Sequence, residues 1–249
     1  MKNKLFTTIL ILILLILTLN LGLKFFTIII GLIAALSYLE FNNYKYKNNN
    51  NIIIKIISVL TILFIVFNKN FYNFNDIFVY SISLIIMILI MIIFRKQKYE
   101  TNDIIYNIGI IFLLGLSYSV IISIYKISII RCAYVLIIAF ITDIYSTIGT
   151  NLIGKHRINK TIQTIEGSIF GILMATLIGT VIHYNLIGDN LFVVIIISLL
   201  LSTFGIIGDL LFYNIKNKLD KNEFKVKITE QFDSVILVAL LYIIIINII

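Results

Sequence analysis

The apolar residues of this chain are gathered into long blocks, and the blocks have the length of a membrane crossing. Nine runs can be drawn, at 5–20, 25–41, 52–67, 77–94, 104–124, 127–149, 167–184, 191–213 and 232–249. A hydrocarbon core about 30 Å thick takes about 20 apolar residues in a helix. The runs show neither strand alternation nor the narrow apolar stripe of a soluble helix. A soluble domain carries about 25% charged residues, whereas this chain of 249 residues has 13%, with 60% hydrophobic residues and a mean hydropathy of +1.07. One core cannot hide that much isoleucine and leucine. The sequence predicts an all-α, polytopic integral membrane helix bundle of about nine transmembrane helices, forming one integral membrane domain.

The breaks between runs are polar: NNYKYKNNNN, NKNFYN, RKQKYETND, GKHRINKTIQT, NLIGDN and KNKLDKNEFKVKITEQ. The weakest division is at Tyr125–Lys126, where a single lysine parts two runs. The start, MKNKLFTTILILILLILTLNLGL, resembles a signal peptide, but its apolar run is long, no A-x-A site follows, and another run begins at Phe25. It reads as a retained first span. The one cysteine, Cys132, excludes an internal disulfide and a Cys-based metal site.

Basic residues orient the bundle. The N-terminus and the second, fourth, sixth and eighth loops hold two, two, three, three and five of the 20 lysines and arginines, against Lys24, Lys69 and Lys126 in the odd loops. Positive loops stay in the cytoplasm, so the expectation is a cytoplasmic N-terminus in the cell (inner) membrane, with loops 150–166 and 214–231 facing the cytoplasm. The net charge of +8 then sets orientation, and no nucleic-acid partner is implied.

Among only twelve acids, Asp143, Glu166, Asp209 and Asp233 lie in or at the ends of runs that border the sixth and eighth loops, the most basic surface of the chain. Acids inside spans are costly, face the bundle interior and mark functional sites. Gly205, Gly208 and Asp209 stand at i, i+3 and i+4, which sets bare backbone beside a carboxylate; Lys216 follows two turns along that face if the helix continues. Asp143, Ser146, Thr147 and Thr150 form a polar stripe of the same kind. Carboxylates with hydroxyls suit a hard cation such as Mg²⁺, although such stripes also serve plain helix packing. GSIFG at 167–171 alone is a close helix contact, Glu166 alone suits a helix N-terminus, and His156 between Lys155 and Arg157 suits a solvated basic loop. His183, near the outer face, reads as structural.

Two stretches carry a resemblance. DIYSTIGTNLIGKHRINKTIQTIEGSIFGIL, residues 143–173, is similar to the phosphatidate cytidylyltransferase (CDP-diacylglycerol synthase) family, in which an Asp precedes a G-K-H-K-like basic loop and a K-T-x-E-G turn into a helix. Asp143, Gly154, Lys155, His156, Arg157, Thr164, Glu166 and Gly167 match, with Gln163 where that family has lysine. GDLLFYNIKNKLDKNEFKVKITEQFDS, residues 208–234, resembles the family's C-terminal signature at Gly208, Asp209, Leu210, Lys216, Asp233 and Ser234. Asn217 replaces the signature arginine, Glu230-Gln231 replace an Asp-Arg pair, and a P-G-H-G-G loop has no counterpart. The likeness covers residues 127–249, so the chain divides into N-terminal transmembrane helices, 1–126, and a C-terminal catalytic half, 127–249.

The resemblance implies cytidylyl transfer from CTP to phosphatidate, giving CDP-diacylglycerol and pyrophosphate in phospholipid biosynthesis, with Mg²⁺ or another divalent cation as cofactor. It implies metal binding by Asp209 and Asp233, with Asp143 and Glu230 as further candidates. Lys155, Arg157 and Lys216 would hold phosphate oxygens, His156 and Ser234 would join the substrate site, and Glu166 would position the basic loop or a metal-bound water. The bilayer is a partner throughout, and family analogy favours a homodimer. The rival expectations are a CTP-dependent transferase acting on another membrane lipid, and a cation-coupled transporter. Against the transporter, the acids gather on one side rather than near the midplane.

Overall fold

The structure, a computed structural model, describes residues 2–45, 52–72, 74–94, 101–158, 161, 163–219 and 229–248. Among the described residues the chain is predominantly helical: α1 (Lys2–Asn20), α2 (Leu23–Lys45), α3 (Ile52–Phe67), α4 (Asp76–Phe94), α5 (Thr101–Ile127), α6 (Ile129–Ile153), α7 (Ile165–Leu186), α8 (Leu191–Leu219) and α9 (Thr229–Ile248). These nine helices follow the nine apolar runs. Seven contain a stretch long and apolar enough to cross a membrane, while α1 and α4 have the shorter apolar stretches Leu5–Asn20 and Asp76–Leu89. The chain is thus a multi-pass helical membrane bundle.

The breaks follow local chemistry. Gly22, at φ 97°, separates α1 from α2, and Gly188, at φ 85°, turns the chain between α7 and α8; both adopt the left-handed conformation open to glycine. The expected division at Tyr125–Lys126 lies slightly further on. Helix α5 continues through Lys126 to Ile127, and Ser128, extended at φ −164°, caps α6 with its side chain accepting from the Arg131 amide. A lysine at a helix C-terminus suits the dipole and does not end the helix, whereas an N-cap serine starts the next one.

The chain divides into two compact units, Gly22–Ser123 and Met1–Leu21 with Ile124–Ile249. In the first, α2 and α3 pack together and continue into α4. Ser37 and Tyr118 share a hydrogen bond of 2.9 Å, and both are fully buried. A turn of π-helix, Asn68–Tyr72, is held by Asn68, which donates to the Phe74 carbonyl at 3.0 Å and accepts from its amide at 2.9 Å. Lys69 pairs with Asp76 there.

In the second unit α6 is the hub, packed on α1, α7, α8 and α9. Its closest partner is α7, which presents Gly167, Gly171, Ala175 and Gly179, four residues apart and all buried. A Cβ at Gly171 would lie 2.8 Å from the Ser146 side chain, and one at Gly179 2.7 Å from Ile138. In lipid, where no hydrophobic force drives helices together, such bare stripes let backbones approach and pack.

Candidate active site

The polar end of the second unit begins where α6 stops. Gly154 leaves the helix in an extended conformation, and a side chain there would collide with the Thr150 carbonyl and Thr164. The chain then reverses in a tight hairpin. Arg157 bridges to Thr164 as in an antiparallel ladder, the Ile165 amide donates to the His156 carbonyl at 2.9 Å, and the Ile158 amide donates to the Gln163 carbonyl at 3.0 Å. Thr161, buried at the tip, closes the turn through its amide and hydroxyl, both donating to the Ile158 carbonyl. Thr164 caps α7 by accepting from the Gly167 amide at 3.1 Å, and its own amide donates to the Thr150 hydroxyl at 3.3 Å.

Glu166, in the first turn of α7, clamps this hairpin. Its carboxylate accepts from the Lys155 amide at 3.1 Å and the His156 amide at 3.2 Å, and meets His156 Nδ1 at 2.6 Å. Glu166 therefore holds the shape of the basic loop, and His156 is part of that clamp. The side chains of Lys155 and Arg157 stay exposed, two cations on the stretch of backbone that Glu166 holds.

A second link joins the hairpin to α8. Gln163 Nε2 donates to Asp209 Oδ2 at 3.1 Å, so the residue standing where the resembled family has lysine orients the half-buried carboxylate of Asp209. Immediately before it, Gly208 lies against α9: a Cβ there would sit 2.7 Å from the Asp233 carbonyl and 3.2 Å from Ser234 Cα. The close contact needs glycine because the obstacle is backbone, which cannot swing aside. It sets Asp209 next to the start of α9, where Asp233 is buried and Glu230 is half-buried.

Helix α6 brings the remaining acid. Ser234 Oγ donates to the Ala139 carbonyl at 3.5 Å, Phe140 meets Phe232 edge-on, and Thr142 faces Gly205. Asp143 follows within a turn and is 2% exposed. Of the polar stripe on this helix, Ser146 donates to the Asp143 carbonyl at 3.0 Å and Thr150 serves the Thr164 cap, so these two hydroxyls do packing work. Ser234 is likewise buried against backbone. Lys216 lies on α8, which continues past it as the spacing predicts; its side chain, and residues 220–228 of the following loop, lie outside the described residues.

Asp143, Asp209 and Asp233 thus lie on three helices packed against one another, and the hairpin that carries the exposed cations joins them through the Gln163–Asp209 hydrogen bond. Among the described residues no three His, Cys, Asp or Glu side chains stand close enough to hold one ion by themselves. The donor set is nonetheless all oxygen, and a magnesium ion commonly takes one or two carboxylates with the rest of its shell from water and substrate phosphates. These residues fit that chemistry.

Sequence reasoning treated Gln163 and Gln231 only as departures from a signature. Their contacts, Gln163 to Asp209 and Gln231 Nε2 to Thr7 Oγ1 at 2.7 Å, cross elements far apart in the chain, and no local pattern announces them. Their place beside the acids was the available signal.

No curated protein matches the chain. The model of the cytidylyltransferase family matches residues 2–249, which takes in every span and both polar elements of the site. This protein belongs to the cytidylyltransferase family.

Proposed function

We propose that the protein transfers a cytidylyl group from CTP to phosphatidate, releasing pyrophosphate and leaving CDP-diacylglycerol in the membrane. Membership in the family supports cytidylyl transfer from CTP. The observation that carries the finer reading is the gathering of Asp143, Asp209 and Asp233 at one end of an apolar bundle, under a hairpin with exposed Lys155 and Arg157. Such a site suits a reaction between a soluble, multiply charged anion and an anion anchored in lipid.

The chemistry follows from the charges. A phosphatidate oxygen is already a nucleophile at neutral pH. It attacks the α-phosphorus of CTP, the bond from that phosphorus to the oxygen bridging to the β-phosphorus breaks, and pyrophosphate leaves. Little proton transfer is needed, so catalysis rests on in-line placement and charge stabilisation. Mg²⁺ held by Asp209 and Asp233, with Asp143 and Glu230 beside it, would supply positive charge to the nucleotide phosphates and the leaving group. Gln163 holds Asp209 in orientation. Lys155 and Arg157 gather phosphate oxygens, and Lys216, two turns along α8 from Asp209, is the third cation assigned to that role. Glu166 keeps the hairpin rigid, so the cations are placed before substrate arrives. The acyl chains remain in lipid. The distribution of lysine and arginine supports a site on the cytoplasmic face of the cell membrane.

The test is incubation of the purified protein in detergent with labelled CTP, Mg²⁺ and either phosphatidate or a polyprenyl phosphate. Label should enter a lipid with phosphatidate, accompanied by equimolar pyrophosphate, and should not with Asp209→Asn. Label entering only the polyprenyl lipid would overturn the choice of acceptor. Turnover by Asp209→Asn close to that of the unaltered protein would overturn the site.

A further inference from the structure

Helix α1 belongs to the unit that holds the carboxylates, although more than a hundred residues separate it from the rest of that unit. It is fastened at both ends. Near its C-terminus, Tyr125 donates to the Leu19 carbonyl at 2.9 Å, and Leu15 and Leu19 are buried. Near its N-terminus, Gln231 Nε2 donates to Thr7 Oγ1 at 2.7 Å, and Thr8 beside it is 1% exposed. The two fastenings lie twelve residues apart, about 18 Å along the helix. Ile9, Leu10, Ile13, Leu14 and Leu17 are exposed between them, as expected of a face turned to lipid.

The N-terminal fastening falls at a sensitive place. Gln231 occupies the first turn of α9, one residue after Glu230 and two before Asp233. Gln231 is 2% exposed, and its Oε1 has no hydrogen-bond partner among the described residues. A buried amide satisfied on one side only is a poor stabiliser, and an apolar side chain of similar size would pack there at less cost. The contact with Thr7 holds for either orientation of the amide, because a hydroxyl can donate or accept.

We propose that the Thr7–Gln231 hydrogen bond sets the first turn of α9, making Gln231 a positioning residue for Asp233 and α1 an integral wall of the active site. Thr7 and Gln231 touch no reacting atom in this scheme; they act by holding the α9 carboxylate at the place where Gly208 and Asp209 meet it. The proposal rests on the reading of Asp233 as a metal ligand given above.

The experiment is a double-mutant cycle on the full-length protein in detergent, with Thr7→Val, Gln231→Leu and the double variant. Two quantities are read: Mn²⁺ binding in the presence of CTP, followed by electron paramagnetic resonance, and lipid labelling with the Mg²⁺ concentration varied. Each single variant should raise the Mn²⁺ half-saturation and lower kcat about tenfold, while the KM for CTP stays within about twofold, as expected when a positioned ligand is loosened. The double variant should be no worse than the singles, since one shared contact is lost in each. Thr7→Ser should restore both readings; it also serves if Thr7→Val fails to fold. Unchanged Mn²⁺ binding in folded Gln231→Leu, or losses that simply add in the double variant, would overturn the proposal. If phosphatidate accepts no label from the unaltered protein, the acceptor reading falls, while the Mn²⁺ titration still decides this one.

Discussion

The two compact units use polar residues in opposite ways, although their spans are equally apolar. In Gly22–Ser123 the buried polar side chains described are neutral, with pairs such as Ser37 with Tyr118 and Tyr38 with Asn107, while Glu40, Lys55 and the pair Lys69–Asp76 at the π-helical turn are partly exposed. In the other unit Asp143 and Asp233 are buried and Asp209 is half-buried within the bundle end. Neutral pairs add rigidity at little electrostatic cost, whereas carboxylates at membrane depth are costly unless a function retains them. Hydropathy alone cannot separate these units; the depth and sign of their polar groups can.

The largest break in that comparison is expected at Asp209. Asp209→Asn keeps the size of the side chain and can still pair with Gln163, so folding and insertion should survive. Transfer should fall by roughly 10³-fold, in the range seen when a group stabilising developing charge is removed. Initial rates of lipid labelling, with gel filtration as the control for folding, check this. A tenfold fall or less would make Asp209 a packing residue.

The next test pairs two glycines. Gly208→Ala places a methyl 2.7 Å from the Asp233 carbonyl, whereas Gly109→Ala, in α5, meets nothing within 4 Å. Overpacking against backbone costs about 1–3 kcal/mol, and a shift of α9 moves Asp233. Gly208→Ala should therefore lower both the melting temperature and kcat, by roughly a hundredfold for kcat. Gly109→Ala should leave activity unchanged and raise stability by about 0.5–1 kcal/mol, through the helix preference of alanine. Equal effects at the two positions would erase the distinction between the units.

Much of this architecture was legible in the sequence, and the parts that were not share a cause. The apolar runs announced the helices because span length is fixed by the bilayer. The acids pointed to the candidate site because carboxylates in spans are rare. The hairpin at Arg157–Thr164 gave no sign, since a single bridge in a polar loop has no periodicity. The membership of α1 in the carboxylate-bearing unit was equally invisible, because order along the chain says nothing about which spans pack. The cap at Ser128 was readable in principle, but the charge at Lys126 drew the division instead.

Glu166 sharpens the role of the basic hairpin. Glu166→Gln removes the charge that holds two backbone amides and the His156 ring, while keeping one acceptor oxygen. The hairpin should loosen and Lys155 and Arg157 should lose their fixed placement. The KM for CTP should rise roughly tenfold, equivalent to about 1.4 kcal/mol, with kcat changed far less. Saturation curves in CTP separate the two constants. A fall in kcat at constant KM would instead move Glu166 towards the reacting centre.

The smallest effect is expected at the Ser37–Tyr118 pair, which stands for the other unit. Ser37→Ala removes the hydroxyl that meets the buried tyrosine oxygen, so it should cost about 1–3 kcal/mol, whereas removing both hydroxyls with Ser37→Ala and Tyr118→Phe should cost less than either single change. Thermal unfolding in detergent measures that reversal. The KM and kcat should stay within about twofold in all three variants, because the pair supplies rigidity and no charge. A tenfold loss of transfer in Ser37→Ala with stability unchanged would mean that polar groups of Gly22–Ser123 also serve the chemistry, and the contrast between neutral and charged burial would no longer mark where the reaction occurs.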